Sequence, residues 1–272
     1  MSKITNKQRK FIILGACIVL FSVAMLIFEF VPIEYNADPL RNEWISRIVC
    51  QLFGILAALC LLIAMNTHLF GKPKKLLYLI PAILVAVDNF QFFAYFSGKM
   101  QLVRAETWDV ILFLLYCFGI GVFEEFIFRG SVFALLADAF PNNKKGLLYT
   151  FFFSSIIFGV SHLFNILTGA NIGGTLLQVG YSILTGGLFA FVLLKTKNVL
   201  CCAFVHAVYN FCGTLMETPA NLGLGSGVVL DLGTGITMAI IGTVVGLFVL
   251  YSVFTYSENE RIELYKRLGI KK

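Results

Sequence analysis

The sequence predicts an all-α fold, a polytopic transmembrane helix bundle of about eight spans with both termini cytoplasmic. Three observations lead there: the scarcity of charge, the length of the apolar runs, and the way basic residues alternate between them. The chain has 272 residues, 58% hydrophobic and only 13% charged, with a mean hydropathy of +0.86. That is too little charge to coat a water-soluble globule. The apolar residues come in runs long enough to cross the roughly 30 Å hydrocarbon core, which takes about 20 residues. They lack the short alternating pattern of a barrel strand.

Eight runs meet that length, at about 11–33, 45–66, 76–96, 109–137, 147–167, 176–194, 199–217 and 236–256. The first could pass for a signal peptide, but it is too long for an h-region and no small-residue cleavage site follows it. The fourth is long enough to tilt or to project from the membrane. The glycine-rich stretch 218–235 reads as an outer loop or a re-entrant segment. Residues 257–272, SENERIELYKRLGIKK, read as a short amphipathic cytoplasmic tail. A chain ending in Gly-Ile-Lys-Lys is not expected to be a CaaX substrate itself. Nothing marks a second domain, so residues 1–272 are expected to form one integral membrane unit.

Charge tests this division. The basic residues before span one, between spans two and three, after spans four and six, and in the tail are sixteen of the chain's 21. The intervening loops carry Glu34, Asp38, Glu43, Glu106, Glu217 and Asp231 with few lysines. The alternation is unbroken, as the positive-inside rule requires of an eight-span chain. The formal net charge of +6 is therefore a topology signal and not a footprint for nucleic acid. All seven cysteines fall inside apolar runs, which points to buried thiols without a disulfide framework. No CxxC pair offers a Cys-ligated zinc. Gly242-x-x-x-Gly246 in the eighth run is ordinary small-residue helix packing.

Against this apolar background several polar residues stand out. An ionisable group at the centre of a span costs about 2.5–3.5 kcal/mol on insertion scales. The stretch FEEFIFRG nevertheless places Glu124, Glu125 and Arg129 in span four, FGVSHLFN places His162 in span five, and HAVYN places His206 and Asn210 in span seven. Glu125 and Arg129 are four apart on one helical face and can neutralise each other. Glu124 lies about 100° round the helix from Glu125, so it is the carboxylate left for proton transfer. A single intramembrane histidine or an i,i+4 ion pair is usually structural. Two histidines, a spare carboxylate and an asparagine on separate spans are hard to explain as packing. Asp88 and Asn89 in span three could line the same cavity. Asn165 could hydrogen-bond the His162 ring and select its tautomer. Glu29 reads as an interfacial residue that snorkels to the boundary, and His68 as interfacial beside a basic loop.

The order and spacing Glu124-Glu125-x-x-x-Arg129, Phe158-x-x-x-His162, His206-x-x-x-Asn210 resembles the three-motif signature of the CPBP family, the CAAX proteases and bacteriocin-processing or Abi proteins. The resemblance covers about residues 124–210. It implies an intramembrane endopeptidase in which Glu124 with His162 activates a water molecule, His206 and Asn210 stabilise the oxyanion, and Glu125 and Arg129 orient the site. It also implies a membrane-embedded or lipidated peptide substrate. Eukaryotic relatives act on prenylated CaaX proteins, and bacterial relatives are associated with peptide maturation, bacteriocin immunity and secretion. No cofactor is expected. Zinc held by Glu124, His162 and His206 is the alternative, although no HExxH pairing builds a metal site on one helix. The expected location is a bacterial plasma membrane, or the endoplasmic reticulum in a eukaryote. Competing functions are a non-proteolytic scaffold or regulator, an acyl-transfer enzyme using the same pocket, and a proton-coupled transporter. No inverted repeat or paired broken helices favour the last.

Overall fold

The protein is described from a computed structural model that covers residues 39–102, 106–167, 169–217 and 232–270, with a few positions between 12 and 23. Most of the expected first span, with Glu29, and most of the loop 218–235 lie outside the described residues.

Among the described residues, five helical stretches are long and apolar enough to cross a membrane: Arg41–Ala64, Thr107–Ala139, Lys144–Leu167, Ile172–Thr196 and Leu232–Phe254. They coincide with the second, fourth, fifth, sixth and eighth runs of the sequence. The third and seventh runs form shorter apolar helices, Leu76–Asp88 and Val199–Thr214. In order, α1 is Pro39–Ala64, and α2 (Leu79–Asp88) follows a single 3₁₀ turn at Leu76–Tyr78. Next come α3 (Phe92–Phe96) and α4 (Thr107–Glu125). The chain continues from α4 through a π-helical segment at Phe126–Val132 into α5 (Phe133–Ala139). There follow α6 (Lys144–Ser161), α7 (Phe164–Leu167), α8 (Ile172–Thr196) and α9 (Val199–Thr214). The last two helices are α10 (Leu232–Phe254) and α11 (Glu258–Arg267).

The third run is shorter than its 76–96 length because Gln91 takes up a left-handed conformation, φ 58°, which breaks the helix before α3. The seventh ends at Thr214, where Met216–Glu217 pairs antiparallel with Gln101–Leu102 in a two-stranded ribbon. Side chains cap the helices that start at polar loops: Asn143, Asn171 and Asn198 each accept from backbone N–H groups of the first turn.

In lipid the apolar effect does not drive helix association, so close backbone approach and interhelical polar contacts must do so. Gly121 on α4 faces the backbone of α9, where an added Cβ would come 2.6 Å from the Ala203 carbonyl. Gly159 on α6 meets α8 likewise, at 2.8 Å from the Val179 carbonyl. Gly242 and Gly246, read as packing residues, have nothing within 4 Å among the described residues.

The two ends of the bundle differ. At one end α1 and α4 start side by side, and Arg41 bridges them by bonding Asp109 and Glu106, both at 2.6 Å. The opposite end gathers the basic loops, where the tail is a docked helix and not a free one. Ser257 and Glu260 form a capping box that starts α11. Lys75 pairs with Glu260, Lys74 and Lys197 pair with Glu263, and Arg267 donates to the Lys197 and Lys72 carbonyls. Burial raises the Glu260 carboxyl, but bonds from Lys75 and Ser257 outweigh it and hold the group down at about 2.

Candidate active site

The site is built where α4 hands over to the π-helical segment. The extra residue per turn in that segment shifts the register of the side chains that follow Glu125, and such segments recur at functional positions. Glu125 and Arg129 are both fully buried and lie 3.1 Å apart, as their spacing predicts. Arg129 also donates to the Gly186 carbonyl of α8 at 2.8 Å. Its guanidinium lies 4.3 Å from the centre of the Phe158 ring and 5.3 Å from that of Phe189. Two aromatic faces, a carboxylate and a carbonyl thus surround a fully buried cation.

The same Glu125 oxygen faces His206 Nδ1 at 2.9 Å. An ionised carboxylate only accepts, so this bond places a proton on Nδ1. The other ring nitrogen, Nε2, points to Glu124, whose oxygen is 3.8 Å away. Phe189 stacks on the imidazole with centroids 4.5 Å apart and planes 20° apart. His206 is therefore fixed by the stack on Phe189 and by the bond at Nδ1.

His162 occupies the end of α6, where the helix stops and the ring turns back to the Phe158 carbonyl, 3.0 Å from Nδ1. That carbonyl also demands a protonated Nδ1 and leaves Nε2 with a lone pair. The Phe158 ring stands edge-on to both His162 and His206, with centroids at 5.2 and 5.8 Å.

Glu124, His162, His206 and Asn210 all line one cavity of about 830 Å³. The side chain of Glu124 keeps 18% exposure, against none for Glu125, so the division into a spare and a committed carboxylate holds in space. The histidine nitrogen 3.8 Å from Glu124 is Nε2 of His206, while His162 is held at the end of its helix. Two expectations need correction. Asp88 is not on the cavity wall. Successive helical residues point about 100° apart, and it is Asn89 that faces α9, donating to the Tyr209 carbonyl at 2.8 Å and lining the cavity. Asn165 lines the cavity too, but it donates to Gln178 Oε1 at 2.9 Å, and the tautomer of His162 is set by its own helix.

Gln51 and Gln178 also line the cavity, and polar residues within apolar runs were a signal for them. The Gly186 carbonyl had none, because a backbone acceptor leaves no mark in a sequence. Zinc would require Glu124, His162 and His206 around one ion. Among the described residues no three His, Cys, Asp or Glu side chains converge closely enough to hold one, so no chemical step is routed through a metal.

These features define a multi-pass membrane protein with buried acid, base and cationic groups around a polar cavity between its helices. Residues 106–212 match the family described as type II CAAX prenyl endopeptidase Rce1-like, which agrees with the resemblance to the CPBP/CAAX proteases carried by the three motifs. The matched region runs from the start of α4 to near the end of α9 and contains every residue of the three motifs. No curated protein and no solved structure matches the chain. At the level of the family, the match supports an intramembrane endopeptidase of CAAX type.

Proposed function

We propose that the protein hydrolyses a peptide bond in a membrane-associated or lipidated peptide, using a water molecule activated by Glu124 and His162. One observation carries this reading: a partly exposed carboxylate, two oriented imidazoles and an amide from three different helices share one cavity wall. A water in that cavity can donate one proton to Glu124 and the other to His162 Nε2, whose lone pair is free because Nδ1 is committed to Phe158. Loss of the first proton to Glu124 generates the nucleophile. Attack on the carbonyl carbon forms a C–O bond and moves the π electrons onto the carbonyl oxygen.

His206 Nε2 and the Asn210 amide are the donors assigned to that oxyanion. Because Nδ1 already carries a proton for Glu125, donation from Nε2 requires the doubly protonated ring. Carboxylates stand next to both nitrogens, at 2.9 and 3.8 Å. When the C–N bond breaks, Glu124 returns its proton to the leaving amine. Arg129 and Glu125 touch no reacting atom in this scheme and act by positioning His206. The working assignment is metal-free, in a plasma membrane or endoplasmic reticulum.

The test is cleavage of candidate membrane peptides by detergent-purified protein, followed by mass spectrometry, with Glu124→Gln, His162→Ala and His206→Ala beside the parent. All three variants are expected to lose activity while remaining folded. Activity surviving in Glu124→Gln contradicts the mechanism. Activity removed by a chelator and restored by zinc contradicts its metal-free form.

A further inference from the structure

The docked helix α11 divides its charges between two faces. Glu260 and Glu263 turn to Lys74, Lys75 and Lys197, which neutralise them. Ile262, Tyr265 and Lys266, at i, i+3 and i+4, share another face. They line a second cavity, of about 380 Å³, whose other walls include Asn66 and His68 after α1 and Asn142 between α5 and α6. These walls are fixed to one another. The His68 N–H donates to the Arg267 carbonyl at 2.6 Å, and Gly269, with φ 74°, lies so close to the Asn66 carbonyl that a Cβ would meet it at 2.6 Å. Arg261, 5% exposed, donates to the Asn142 side chain and holds it in place.

The chemistry of this cavity is one-sided. Tyr265 is 3% exposed, and its hydroxyl has no hydrogen-bond partner among the described residues. A buried donor left unsatisfied is costly, and an acceptor supplied by a ligand removes that cost. Lys266 and His68 add an ammonium and an imidazole, and no carboxylate lines the cavity among the described residues. Glu258, which pairs with Arg261, stands outside it with a side chain 69% exposed. Donors without a competing acid suit an anion that carries several acceptor oxygens. The level of the cavity identifies the source of that anion. The apolar stretch Arg41–Ala64 ends two residues before Asn66, where hydrocarbon gives way to headgroups. Ile63, 69% exposed, lies one turn before Asn66, and Ile262 on the cavity wall is 53% exposed.

We propose that this cavity binds the phosphate of an anionic phospholipid, whose headgroup enters between α11 and the loop after α1. The Tyr265 hydroxyl and the Lys266 ammonium donate to the phosphate oxygens, and the acyl chains follow the apolar surface that begins at Ile63. The site is separate from the catalytic cavity and does not depend on the peptidase reading.

The test uses the full chain, delipidated in detergent and titrated with phosphatidylglycerol or with diacylglycerol, with bound lipid counted by native mass spectrometry. Tyr265→Phe keeps the ring beside Arg261 and removes only the hydroxyl; Lys266→Gln removes only an exposed charge. The parent is expected to take up one phosphatidylglycerol more tightly than any later one, and each variant to weaken that first event by at least about tenfold. Equal affinity in the parent and both variants overturns the site. Diacylglycerol bound as tightly as phosphatidylglycerol overturns phosphate recognition. Inorganic phosphate is tested separately by thermal melts of the same proteins. A midpoint raised in the parent but not in the variants, with no variant-sensitive phosphatidylglycerol adduct, keeps the phosphate site and overturns the lipid as its source. Because the Lys266 side chain is exposed, Lys266→Gln decides the matter even where Tyr265→Phe unfolds.

Discussion

The Glu125 carboxylate and the His206 imidazole are joined across two helices by a 2.9 Å hydrogen bond, made by the same oxygen that accepts from Arg129 at 3.1 Å. This one oxygen couples the ion pair within the fourth predicted span to the histidine of the seventh. Glu125→Ala should therefore act on stability as well as on chemistry. It strands the fully buried Arg129 cation without its carboxylate, and breaking a buried pair costs about 3–5 kcal/mol. The expected result is a large fall in melting temperature in detergent, with loss of activity. An unchanged melting temperature would show that Arg129 finds another counter-charge.

Glu124 makes the opposite prediction. Its oxygen is 3.8 Å from His206 and no short bond holds it. Glu124→Gln preserves shape and removes the base, so activity should fall by about 10²–10⁴-fold with no change in thermal midpoint. The pair of variants separates positioning from catalysis, because only Glu125 should show up in both measurements.

His206→Phe keeps a flat ring to stack on Phe189 while removing both nitrogens. If His206 is an oxyanion donor, turnover should drop by about 10²–10³-fold with KM nearly unchanged. The lost bond is made to an oxygen that carries charge only in the transition state. A rise in KM with unaltered kcat would assign the residue to substrate binding.

Gly159→Ala tests whether close approach of α6 to α8 sets the site. The added Cβ would meet Ile183 at 2.4 Å and the Val179 carbonyl at 2.8 Å, so the two helices must part. Overpacking of this kind costs about 1–3 kcal/mol. It should also reduce activity, because α6 ends in His162 and α8 supplies the Gly186 carbonyl to Arg129. Gly246→Ala, with nothing within 4 Å, should leave stability within about 0.5 kcal/mol of the parent.

The docked helix α11 carries the pH dependence. Glu260 is held at about 2, and Glu263 is also lowered, by its bonds to Lys74 and Lys197. A depressed carboxyl stabilises fully above its unfolded value near 4.5 and loses that contribution as pH falls toward 2. Stability should therefore decline below about pH 4.5 in the parent and decline less steeply in Glu260→Gln. Thermal melts across that range decide it; parallel curves would mean that Lys75 and Glu260 do not contribute.

The amino-acid sequence by itself determined the class of the protein and the cast of its site. Long apolar runs can be satisfied in hydrocarbon only as helices, so five of the described spans were legible from composition and length. Polar and charged residues in those runs are costly enough to mark themselves, which makes Glu124, Glu125, Arg129, His162, His206 and Asn210 visible in the sequence. The i,i+4 spacing of Glu125 and Arg129 fixed their pairing, since that contact is local to one helix.

What joins different helices was not legible. The contact of Glu124 with His206, the choice of Asn89 over Asp88 and the Gly186 carbonyl as a ligand for Arg129 depend on how the helices rotate and slide against one another. Those are set by close backbone approach at Gly121 and Gly159, by the π-helical turn after Glu125 and by the premature end of α2. The amphipathic tail was predicted, but its docking was not, because Lys74, Lys75 and Lys197 become its partners only once two loops meet it at one end of the bundle. Periodicity reads a helix one face at a time. Convergence of the site needs the relative depth of four helices, and only packing decides that.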